Sequence, residues 1–215
     1  LSDIRSGRPT TPEVLTEIRH NYEQIGGKSP LLEISRQQVA GIAAQLDPAL
    51  FRCYLGMRHW SPWIEEVVGQ MVEDGITHAV SLVLAPHFSK LSVAKYQGKI
   101  ADGLEMAHGD ICFEHIASYH DAPRHIQALA DRVKQGLAAW PVAERDQVHV
   151  VFSAHSLPAR ILQMGDPYDS QLRETAQLVA ARAGLPDTRW SWSYQSAGRS
   201  PEPWMGPQLE EHLHD

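Results

Sequence analysis

The chain is poor in several things that would define common classes of protein. Only two of its 215 residues are cysteine, Cys53 and Cys112, far apart and each inside an apolar run. That excludes a disulfide framework and predicts buried free thiols in a reducing cytoplasm. No run approaches the ~20 apolar residues of a membrane span, and no signal peptide is visible. Positive charge is scarce as well: 19 Lys and Arg against 26 Asp and Glu give a formal net charge of −7. Phosphate backbones would find no basic footprint, so a nucleic-acid partner is not expected. The motifs CxxC, HExxH, GxxxxGK[ST], GxGxxG and GxSxG are all absent, which removes the usual zinc, P-loop, dinucleotide and nucleophile-elbow sites.

What is present is an alternation of helical and strand-like segments. Thr11-Pro12 reads as an N-cap with Pro at the first helical position, and Gly26-Gly27 stops that helix after Ile25. Leu31 to Leu46 is helical, and Phe51 to Leu55 reads as a strand. A helix follows Ser61-Pro62, with Ile64, Val67, Val68 and Met71 at helical spacing. The nearly continuous apolar run Ala79–Leu84 suits a strand buried on both faces of a parallel sheet. Further helices are expected over about 89–107, 123–140 and 171–183. Further strands are expected at Ile111–Ile116, His149–Ser153 and Arg189–Tyr194. Gln208 to Leu213 looks like the start of a helix, and with no initiator Met at Leu1 both ends read as cut. The pattern predicts an α/β fold: two doubly wound, Rossmann-like parallel-sheet units, both incomplete, over 1–108 and 109–215.

Open parallel sheets bind ligands beyond the carboxyl ends of their strands. Four of the five predicted strand ends deliver a histidine there: His59, His87, His120 and His155. Any one of them alone is more often an ordinary hydrogen-bonded loop residue. Together they point to metal or proton chemistry, in a cleft whose aromatic residues (Tyr22, Trp60, Trp63, Phe88, Tyr119, Trp190, Trp192 and Trp204) suit a flat apolar ligand, although any one such residue is more often core.

Phe152-Ser153-Ala154-His155-Ser156-Leu157-Pro158 followed by Gly165-Asp166-Pro167-Tyr168 resembles the signature of ferrochelatases. Trp204-Met205-Gly206-Pro207, Ile25-Gly26-Gly27-Lys28-Ser29-Pro30-Leu31 and Tyr54-Leu55-Gly56-Met57-Arg58-His59 fit the same family, in family order. Leu84-Ala85-Pro86-His87-Phe88-Ser89 resembles the branch acting on coproporphyrin III. The resemblance implies a chelatase-type fold and insertion of ferrous iron into a porphyrin for haem synthesis, with Fe²⁺ as substrate and no cofactor required. It implies that His155 is the catalytic histidine and an iron ligand, and that His59 assists metal delivery. Arg5, Tyr22 and Ser29 would contact propionates and the porphyrin edge, and Tyr119 or His120 would line the same pocket. The family's first strand would precede Leu1, and the acidic residue facing its histidine would follow Asp215. The chain alone is therefore expected to hold half of the catalytic pair and to turn over poorly. Alternative readings are a protoporphyrin IX ferrochelatase, a cobalt or nickel chelatase, and a non-catalytic porphyrin- or haem-binding protein. The sequence leaves the oligomeric state open and is compatible with a monomer.

Overall fold

The computed structural model describes residues 9–198 and 200–214. Helix α1 (Pro12–Glu23) begins where Thr11 Oγ1 accepts the Val14 N–H at 3.5 Å, with Pro12 in the first turn. Gly26 and Gly27, at φ 91° and 80°, take the left-handed backbone that ends it, a conformation costly for any residue with a Cβ. Helix α2 covers Leu31–Ala43 and α3 covers Ile64–Glu73. Strand β1 (His78–Leu82), helix α4 (Val93–Met106) and strand β2 (Cys112–Ile116) follow, then α5 (Pro123–Ala138). The remainder is β3 (Val150–His155), the short α6 (Arg160–Gln163), α7 (Tyr168–Ala183), β4 (Trp190–Gln195) and the short α8 (Leu209–His212). Three-residue 3₁₀ turns precede β3 and β4.

The architecture is α/β, as the alternation predicts. β1 pairs with β2 in one sheet and β3 with β4 in another. β1 is not buried on both faces as its apolar run predicts: Val80 and Leu82 are exposed, because a two-stranded sheet leaves one face of the strand uncovered. The second pair is parallel, in register from Val150 opposite Trp190 to His155 opposite Gln195. One expected strand is not there. Residues 51–55 form no regular element, because a strand exists only where a neighbour completes its ladder, and this apolar run has none among the described residues.

The chain divides into two compact units: residues up to Ala79 together with Gly98–Cys112, and Val80–Gln97 together with residues from Phe113 onward. In the first, α3 buries Ile64, Val68 and Met71. Gly103 of α4 lies so close to α3 that a Cβ there would sit 2.9 Å from Val68 Cβ and 3.0 Å from Glu65 Cα. Lys99 pairs with Glu65 across the same contact. In the second unit Ile161, Leu172, Tyr194 and Met205 form one buried cluster, and Ile126, Ala130 and Val179 form another between α5 and α7. The end of β3 lies against the first of these.

Candidate active site

His155 is the last residue of β3, and its side chain is exposed. The last residue of a paired strand takes its backbone from the ladder, here opposite Gln195, and several further bonds hold this one. On its own carbonyl, His155 accepts the hydroxyl of Tyr168 at 3.1 Å. The next residue, Ser156, is fully buried. Its N–H donates to the carbonyl of Gln195 at 2.7 Å and its hydroxyl to the carbonyl of Met205 at 2.8 Å. Met205 N–H returns a bond to Leu157 O at 3.0 Å, and Ala159 N–H donates to Pro203 O at 2.8 Å. Thus 203–205 runs back along 157–159, and the imidazole stands on a backbone fixed from both sides.

Tyr168 is fixed in turn by Asp166. The Asp166 carboxylate is buried and accepts three bonds: from Tyr168 N–H at 3.0 Å, Ser89 Oγ–H at 3.0 Å and Lys90 N–H at 2.7 Å. It sits just before the first turn of α7, where a negative charge also meets the helix dipole favourably. Lys90 Nζ donates to Met164 O at 2.7 Å, so three bonds tie the 86–91 turn to the 164–168 turn. Burial, with the Asp166 charge adding to it, raises the Tyr168 phenol, which stays a hydrogen-bond donor.

Around this support the structure gathers three further histidines of the second unit, His87, His120 and His125. His87 and His120 have ring centroids 6.2 Å apart, and His87 meets the Tyr168 ring edge-on at 6.3 Å. His87 Nε2 lies 2.9 Å from Thr175 Oγ1. That hydroxyl has one proton, and its other neighbours, His120 O and Gln171 O at 3.0 Å each, only accept. His87 must therefore donate through Nε2–H, which leaves Nδ1 as its free acceptor. Burial first, then the charges of His120 and His125, lower the His87 pKa to about 4, so it is neutral at pH 7. His120 is bracketed by Ser118 Oγ at 2.7 Å and Glu174 Oε2 at 2.9 Å. Tyr119 stacks edge-on against His125 at 5.5 Å, and burial raises its phenol.

The remaining predicted residues are placed less tightly. Tyr22 is in the last turn of α1 and 40% exposed. Ser29 Oγ accepts the Leu31 N–H at 3.2 Å at the start of α2. His59 is half-buried. All three belong to the first unit, and Arg5 lies outside the described residues. Among the described residues no group of three or more His, Cys, Asp and Glu side chains is placed to hold a metal ion. The four strand-end histidines are thus not a preformed multidentate cage. Sequence reading did not find Thr175, Gln171 and Glu174, which orient His87 and His120. They sit on one face of α7, at spacings of three and four, facing turns 53–88 residues away. Only Asp166 left a signal, as an Asp-Pro pair just ahead of a helix.

A parallel α/β scaffold that presents a rigidly supported imidazole beyond a strand's carboxyl end has the form of an enzyme of proton or metal transfer. The chain belongs to the ferrochelatase family, the metal chelatases that insert iron into porphyrin for haem synthesis: the sequence profile of that family matches residues 8–215. It is similar to the ferrochelatase of Deinococcus radiodurans, 60% identical over 217 residues that cover 100% of this chain and 69% of that protein. The coproporphyrin III ferrochelatase of Anoxybacillus flavithermus is 45% identical, over 97% of this chain and 66% of that protein. That of Bacillus subtilis is 41% identical, over 99% and 69%. The chain thus spans about two thirds of the length of these relatives. Among the described residues no helix is long and apolar enough to cross a membrane.

Proposed function

We propose that the porphyrin metallated by this protein is coproporphyrin III and that His155 is the reacting base. The observation that carries the assignment of the base is the exposed imidazole of His155 on a backbone fastened at its own carbonyl and through Ser156. Metallation exchanges two pyrrole protons for one divalent ion, so it needs an acceptor that is neutral at working pH. An imidazole, ordinarily of pKa about 6.5, meets that need, and its bare nitrogen also binds Fe²⁺. The macrocycle's lone pairs lie in its plane, so a bound porphyrin reacts best when distorted toward the metallation geometry. That demands a base whose position does not drift, which is what the bonds around Ser156 and Tyr168 supply.

Fe²⁺ is then a substrate, and no resident cofactor is needed. His59 assists metal delivery, Arg5, Tyr22 and Ser29 meet the propionate edge, and Tyr119 lines the pocket. The choice of coproporphyrin rests on the 84–89 stretch and on the names of the Anoxybacillus and Bacillus relatives. The two cysteines are free and suit a reducing cytoplasm, although Cys53 is only half-buried and Cys112 exposed where their apolar runs predict burial. The test is anaerobic ferrous-iron insertion followed by the Soret shift, with coproporphyrin III and protoporphyrin IX compared at equal concentration. Preference for coproporphyrin, together with loss of about 10²–10⁴-fold in rate but not of porphyrin binding in His155→Ala, is the expected result. Preference for protoporphyrin overturns the substrate, and turnover retained in His155→Ala overturns the base.

A further inference from the structure

At the opposite end of β3 from His155 stands a second group of donors that the chelatase reaction does not use. His149 immediately precedes β3, Ser191 is the second residue of β4, and His212 ends α8. His149 Nε2 lies 2.9 Å from Ser191 Oγ, and His212 Nε2 lies 2.7 Å from the same oxygen. Two imidazole nitrogens from different elements thus converge on one hydroxyl. Six residues of strand separate them from His155, roughly 20 Å.

The hydroxyl carries one proton, so when both rings are neutral it donates to one Nε2 and accepts from the other. One ring therefore already turns an unprotonated Nε2 into the group, where its lone pair accepts the Ser191 proton. Gln208 holds α8 in place: its Nε2 donates to Met205 O at 2.6 Å, and Tyr194 bridges to Gln208 beside it. His149 also lines an open groove of about 410 Å³ with Trp140, Glu144, Gln147 and Val148, which admits a hydrated ion and places a carboxylate at its rim. The neighbouring cation, Arg189, is engaged by Asp146 at 3.1 Å and by the carbonyls of Arg145 and Val148.

We propose that His149, Ser191 and His212 form a binding site for a borderline divalent transition-metal ion, distinct from the site of porphyrin metallation. Two imidazoles with one oxygen and water favour zinc, cobalt, nickel or copper over magnesium or calcium. Zinc–imidazole bonds run about 2.0–2.1 Å, so both nitrogens, already within 2.9 Å of one oxygen, reach a shared ion through small ring rotations. The ion would take over the bridging role of the Ser191 proton and pin α8 to the start of the β3–β4 sheet.

The experiment is zinc titration of the whole chain by calorimetry, with Co²⁺ absorption bands reporting coordination and thermal unfolding reporting stability. The wild type is expected to bind one zinc equivalent at this site, to show d–d bands with Co²⁺ and to melt at higher temperature with zinc. His149→Ala and His212→Ala should each lose at least about tenfold in affinity, a loss that removing a ligand's hydrogen-bond partner alone can produce. In the double variant the thermal shift should vanish. His155→Ala should keep this zinc equivalent, which separates the site from the chelatase centre. Unchanged affinity and stoichiometry in a folded double variant overturns the proposal, and so does the absence of zinc binding to the wild type.

Discussion

Around His155 the backbone is fastened by bonds to Gln195, Met205 and Tyr168, from segments far away in sequence. Around Tyr22 and Ser29 the bonds run to neighbours within five residues: Tyr22 O accepts from Ile25 and Gly27, and Ser29 Oγ from Leu31. The same contrast holds for burial. Helix α1 has no buried residue and α2 only Ser35, while Ser156 and Ser89 are wholly enclosed. The proposed base sits on the firmly bonded element, and the groups proposed to receive a substrate edge sit on a segment that can adjust. Such thinly packed, locally bonded segments belong to the low end of a protein's range of local stability.

Removal of the base should have the largest effect on activity, as given above for His155→Ala. Next comes its support. Asp166→Asn must turn an amide NH₂ toward one set of buried donors, Ser89 and Lys90 or Tyr168, and should cost about 1–3 kcal/mol. Urea unfolding measures that loss, and insertion rates on the folded fraction show whether the His155 turn has loosened. An unchanged unfolding midpoint would remove the contrast drawn here. In the first unit, Gly103→Ala forces a methyl against Val68 and the α3 backbone, so a destabilisation of about 1–3 kcal/mol is expected from the same measurement.

A pH profile sharpens the comparison further. The His87 pKa is held at about 4 in the folded chain, against an ordinary value of about 6.5 when unfolded. Between those values the unfolded chain takes up a proton that the folded chain refuses. Stability therefore holds above about pH 6.5 and declines as pH falls toward 4, and His87→Gln should flatten that decline. The smallest effect is expected at Ser29→Ala, which loses one exposed bond at the start of α2, worth about 1 kcal/mol or less. A large loss of porphyrin affinity with little loss of stability would show that Ser29 meets substrate as well as the helix.

Periodicity located the helices α1 to α5 and α7 to within a few residues, because each has an apolar stripe and a Pro or Gly boundary that act locally. The same local signals could not show that residues 51–55 would find no strand partner among the described residues, since pairing depends on what else arrives beside a strand. His155 was legible because the strand before it and the Ser-Leu-Pro turn after it are contiguous. The environment of His87 was not. Its partner Thr175 is 88 residues away, and the lowered pKa arises from burial created only when α7 packs on the 86–91 turn. Asp166 was visible as part of a motif, but nothing in the sequence paired it with Ser89, 77 positions earlier.

The division of the chain has a consequence for its birth on the ribosome. Val80–Gln97 belongs to the second unit but is made before the 98–112 stretch that returns to the first. Ser89, Lys90 and His87 must therefore wait for Asp166 and Thr175, tens of residues later, before their bonds can close. At ordinary elongation rates of about 5–20 residues per second, that is an interval of several seconds. The apolar run ending in Leu84 adds to the need for protection during that interval, since Val80, Leu82 and Leu84 are exposed even in the folded chain, and it is there that a nascent-chain chaperone or a pause in translation would matter most.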